Sequence, residues 1–124
     1  MTLVLSKPIS VASVGGVPGT NITGVVIPPA TTTTVDSVST ISQIGIKWIY
    51  TIGDPVGNLI QSGEVLAHHH FGASPVHNVT GIIGDMIPRL IDVAIAAGNL
   101  QLNITNNHIN QLKVNVVRIE LLTM

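Results

Sequence analysis

Apolar residues in this chain recur at intervals of two, not three or four. Ile44, Ile46, Trp48, Tyr50 and Ile52 alternate with Gly45, Lys47, Ile49 and Thr51, as expected of a strand with one face on a core. The same period returns at Leu100, Leu102 and Ile104, between Gln101, Asn103 and Thr105. Val, Ile, Thr, Gly and Asn dominate elsewhere, and these residues favour strands and turns over helix. An all-β fold follows.

Turn chemistry punctuates the pattern at roughly ten-residue spacing. Residues 53–58 read Gly-Asp-Pro-Val-Gly-Asn, residues 72–75 read Gly-Ala-Ser-Pro, and Ala97-Gly98 is a two-residue turn between strands over 90–96 and 99–105. A strand over 59–71 is expected to be bulged near Ser62 and Gly63, since glycine inside a strand often marks a bulge. In the last strand, over 112–122, the apolar phase moves from Leu112, Val114 and Val116 to Val117, Ile119 and Leu121. That shift implies a bulge or burial on both faces. Six or seven short strands without crossover helices predict an antiparallel β-sandwich of jelly-roll-like type over 41–124.

Residues 1–40 differ in kind. Short β-prone runs lie between Gly and Pro, Pro28-Pro29 enforces extension, and residues 8–35 carry no charge. The expectation is an extended N-terminal arm that docks on neighbouring subunits or adds a strand to them. The opening residues lack a basic start followed by an apolar run, so no export signal is expected, and Pro and Gly interrupt 8–35 too often for a membrane helix.

Charge narrows the function classes. Charged residues make up 9% of the chain, against about 25% in ordinary soluble domains. A surface so poor in charge is expected to be covered by copies of the chain or by partners. Five scattered basic residues and three aromatics argue against nucleic-acid binding. The chain has no Cys, which removes thiolate chemistry and Cys-based zinc sites.

Few residues carry chemistry. Within His68-His69-His70, His68 and His70 share one strand face, an H-x-H pair able to hold one metal ion; around a threefold axis, three such pairs would supply six nitrogens. The competing reading is a set of histidines hydrogen-bonded at a surface or edge, one of them near His77. Protonation of histidine in acid would let the cluster loosen an interface. Trp48 and Tyr50 share a face and are read as core; were they exposed, they would form a sugar-binding platform. Glu64, Asp85 and Asp92, with Ser62 or Ser74 as nucleophile, show neither paired spacing nor a nucleophile elbow. No enzymatic activity and no cofactor are expected. Arg118 with Glu120, and Arg89 with Asp92, are read as surface or interface pairs.

Four segments together resemble a small β-sandwich module of tailed-bacteriophage virion proteins. They are residues 44–52, with Lys47-Trp48; residues 63–68, Gly-Glu-Val-Leu-Ala-His; residues 98–102, Gly-Asn-Leu-Gln-Leu; and residues 114–119, Val-Asn-Val-Val-Arg-Ile. The resemblance covers about 42–120 and not the arm. It implies a non-enzymatic structural protein located in the virion and assembled in the host cytoplasm. A capsid decoration (cement) protein comes first, then a neck, tail or fibre component. Its implied partners are itself, as a homo-oligomer with a trimer favoured, and the major capsid protein or other virion proteins, with neither nucleic acid nor membrane. A glycan-binding β-sandwich is the alternative from another class.

Overall fold

The alternating segment at 44–52 forms the centre of a sheet. In the computed structural model, which describes residues 13–14 and 17–123, it lies in β4 (Gln43–Asp54), flanked by β9 (Leu112–Thr123) and β5 (Leu59–His70). β2 (Val17–Ile27) lies outside β9, and the short β1 (Ser13–Val14) outside β2; β6 (Ala73–Gly84) forms the other edge. A second sheet has the order β3 (Thr32–Ser39), β8 (Asn99–Asn106), β7 (Arg89–Ala96). Every pairing among the described strands is antiparallel.

Two sheets face each other across one aliphatic core, which makes the fold the expected β-sandwich. Ile46, Trp48, Tyr50 and Ile52 of β4 and Val114 and Val116 of β9 face Leu100, Leu102 and Ile104 of β8 and Ile91 and Val93 of β7. The nested pairs, β2 with β9 and β3 with β8, give the rolled character of the fold, while β4, β5 and β6 stay together as a meander.

The arm expected over 1–40 is corrected by these pairings. Residues 17–27 pair with β9 and residues 32–39 with β8, and Ile27, Val35 and Val38 are buried in the core. The described part of this uncharged stretch thus belongs to both sheets and not to a separate arm. The partner residues lie 60 to 100 positions downstream, from Ser39↔Asn99 to Gly19↔Ile119, so no local hairpin signal could announce them. The parts of the expected arm at residues 1–12 and 15–16 lie outside the described residues.

The two bulge expectations have different outcomes. Opposite Gly63 the β5–β6 register shifts, with Ser62 facing Ile83 and Glu64 facing Thr80; the extra residue is on β6, beside Gly81 at φ +64°. In β9 the ladder to β4 runs without a shift through Val116 and Val117. Val117 and Ile119 turn to the outer face while Arg118 and Glu120 take the inner one, all four half-buried.

Candidate functional site

Several charged residues turn inward and join buried polar ties. Asp36 of β3 accepts from the Trp48 indole Nε1–H at 2.8 Å and from the Arg118 guanidinium at 2.9 and 3.0 Å, joining the second sheet to β4 and β9. Glu120 lies 3.8 Å from Arg118 Nε. Arg118 and Glu120 are therefore half-buried parts of an inter-sheet tie, not a surface pair.

Arg89 likewise turns away from Asp92. Its guanidinium donates to Tyr50 Oη and Gln61 Oε1, each at 3.1 Å, and stands 6.0 Å from the centre of the Tyr50 ring. Tyr50 donates to the same Gln61 oxygen at 3.1 Å, while Gln61 Nε2 donates to the Asp85 carbonyl at 3.0 Å.

Asp54 closes the third tie. Oδ1 caps the β4–β5 turn by accepting from the Val56 and Gly57 N–H groups at 3.0 and 2.9 Å. Oδ2 accepts from Asn110 Nδ2 at 2.9 Å and pairs with His108 Nε2 at 2.7 Å, linking this turn to the β8–β9 loop. The Asn110 side chain foremost, then the Gly57 N–H, His108 and the Val56 N–H, favour the ionised carboxyl against the opposing effect of burial, and hold its pKa down to about 2 from 3.8. A lowered folded-state value means that the stabilisation is complete above the unfolded value and lost as pH falls through the folded one. The stability gap between wild type and Asp54→Asn is therefore expected to narrow as pH falls from about 5 to about 2, as read by urea midpoints. A gap independent of pH over that range would count against an ionised, hydrogen-bonded Asp54.

The histidine run splits as its alternation requires. His68 and His70 are exposed on the outer face, while His69 is buried on the inner one. His69 Nδ1 accepts from the Gly72 N–H at 2.7 Å and Nε2 lies against the Gln43 carbonyl, which assigns the ring proton to Nε2. His69 thus pins the β5–β6 turn to the start of β4, a role visible in sequence only through its phase with Val65 and Ala67. His77 pairs across from Ala67, on the face opposite His68. Among the described residues no group of three or more His, Asp or Glu side chains gathers in metal-binding geometry. His68 and His70 offer two ring nitrogens on one face, and among the described residues no third His, Asp or Glu joins them in such a group.

The other candidates are dispersed. Trp48 and Tyr50 are fully buried, so neither forms a sugar-binding platform. Glu64 pairs with Lys47 at 3.0 Å, Asp85 accepts from the Ile60 N–H at 2.8 Å, and Asp92 faces outward on the other sheet beside Asn103. An open depression of about 240 Å³ beside Pro55, Leu59, Ile60 and Lys113 falls below the roughly 300–1,000 Å³ of ordinary ligand pockets.

What remains for function is surface. The outer face of the three-stranded sheet is a neutral polar array in which Thr32 bonds Thr105 at 2.6 Å and Thr34 donates to Asn103 at 2.7 Å. Ser37 and Gln101 continue it in the next row. At the far side of the larger sheet, β6 is an edge strand bearing exposed Val76, Ile82 and Ile83, and the following turn exposes Met86.

No family model matches the chain, and no curated protein matches it. Among solved structures it is similar to the tailspike protein of Acinetobacter phage vB_ApiP_P1, with a TM-score of 0.46 and 16% sequence identity. The match covers 86% of this chain and 21% of the tailspike chain.

Proposed function

We propose that this protein is a non-enzymatic structural component of a phage particle, acting as a capsid decoration protein that self-associates and packs against other virion proteins. The observation that carries this reading is how little charge the exterior retains. Composition is already poor in charge, and Asp36, Asp54, Arg89 and Arg118 are drawn into internal ties while Lys47 and Glu64 neutralise one another. Apart from the exposed Asp85, Asp92 and Lys113, the described surface is mostly neutral hydrogen-bonding area and exposed aliphatic side chains, which suits lasting contact with protein neighbours better than isolation in water. The four sequence segments that resemble virion modules support the reading further. Three of them fall in β9, β4 and β5, side by side in one sheet. A glycan-binding role has lost its support, since the aromatic pair it needed belongs to the core.

Copy number tests the reading. Quantitative mass spectrometry of purified particles is expected to give on the order of hundreds of copies, as a lattice of repeated capsid contacts demands. About a dozen copies or fewer would replace decoration by a neck, tail or fibre position. Absence from purified particles would overturn the virion role itself.

A further inference from the structure

Among the described strands β6 lies at the edge of its sheet. Its inner neighbour is β5, and no described strand pairs with the other edge. Edge strands that stay unpaired are ordinarily protected by Lys, inward-pointing charge, Pro or bulges. β6 has no Lys, Arg, Asp or Glu anywhere in Ala73–Gly84. Its protective devices sit at its ends. Ser74 at φ +52° and Pro75 precede residues 76–80, and the Gly81 bulge follows them. Between these lies an extended, uncharged, unprotected run of Val76, His77, Asn78, Val79 and Thr80.

Apolar surface flanks the run. Val76, Ile82 and Ile83 on β6, Ile60 and Leu66 on β5, and Met86 after β6 are each between 47% and 88% exposed. Val76, Ile82 and Ile83 stand on the edge strand itself, whereas Ile60 and Leu66 lie one strand further in, on the face of the sheet. Edge pairing would cover the open backbone of residues 76–80 and part of the β6 side chains, apolar surface of the kind that protein contacts bury.

We infer that β6 pairs antiparallel with β6 of a second copy about a twofold axis at Asn78, so that two six-stranded sheets become one continuous sheet. The self-association proposed above thereby acquires a location and a symmetry, and it stands apart from where in a particle the protein sits. A twofold operation places Val76 opposite the partner's Thr80 and His77 opposite the partner's Val79. Each exposed donor meets an acceptor by symmetry, and an uncharged strand opposes itself without like-charge repulsion.

The intact chain provides the test, because it has no native Cys. Asn78→Cys should yield a disulfide-linked dimer on mild oxidation, since residues facing each other on an antiparallel axis lie about 4.5–5.5 Å apart at Cα. Ser37→Cys, on the edge of the other sheet, should not. By sedimentation, the unmodified chain should be dimeric and Asn78→Lys, which sets two ammonium groups against each other, should weaken association tenfold or more. Mixing Asn78→Lys with Asn78→Asp should restore the dimer, a recovery that a merely misfolded variant would not show. A monomeric or trimeric unmodified chain, or a dimer that Asn78→Cys fails to trap, would overturn twofold pairing at β6. Neither result bears on copy number in the particle.

Discussion

Gly63→Ala is expected to destabilise the domain by about 3 kcal/mol, lowering the melting temperature by roughly 10 °C. Gly63 pairs across from Tyr50, and the Tyr50 ring lies over its backbone. A Cβ there would come within 2.6 Å of the hydroxyl and 2.8 Å of two ring carbons. The ring has no room to retreat, because it is 1% exposed and its hydroxyl is held by Gln61 on one side and Arg89 on the other. Displacing it would disturb that tie as well as the core. The two positions should therefore be strongly coupled. In a Tyr50→Leu background, which removes the conflicting ring atoms, Gly63→Ala should cost less than half as much. A Gly63→Ala protein within about 0.5 kcal/mol of wild type would show that the ring is not held over Gly63.

Asp36→Ala should have a comparable or larger effect, about 3–4 kcal/mol by urea denaturation. The substitution strips the Trp48 indole N–H of its acceptor and leaves the mostly buried Arg118 guanidinium with only Glu120 at 3.8 Å and the neutral Thr20 hydroxyl at 3.4 Å. Most of that loss is the penalty of an unmatched charge, and not the net worth of the pair. Replacing both partners by apolar residues, as in Asp36→Leu with Arg118→Met, should recover at least half of it. If the double variant were as unstable as the single one, the charged pair itself would be the source of stability.

These two positions show where sequence reading reaches and where it stops. Trp48 and Tyr50 were legible as core residues because alternation over 44–52 aligns them with Ile46 and Ile52. Ala97-Gly98 was legible as a turn because both residues flank strands of matching length. Local sequence reads Arg118 as a surface or interface residue because the apolar phase of β9 changes at Val117. Only the ladder to β4, regular from Lys113 to Glu120, shows that the strand keeps its orientation and carries charge inward. The histidine run was legible in phase but not in role. Alternation separates His69 from His68 and His70, yet the Gln43 carbonyl and Gly72 N–H that hold His69 come from tertiary placement. The candidate surface on β6 was invisible, because a strand's sequence does not say whether it lies at an edge.

By itself, the sequence determined that this chain is all-β, antiparallel and poor in charge, since period-two burial, turn residues and composition are local properties. Tertiary structure decided what belongs to the sandwich. Residues 17–39 look like an arm when read locally, because Pro, Gly and Thr give extension without a hairpin. They are strands of both sheets because β9 and β8 supply the backbone partners that no nearby segment could. The scarcity of surface charge also changed meaning with the fold. Part of it comes from an uncharged stretch built into the sheets, and part from Asp36, Asp54, Arg89 and Arg118, whose hydrogen-bonding partners hold them inside.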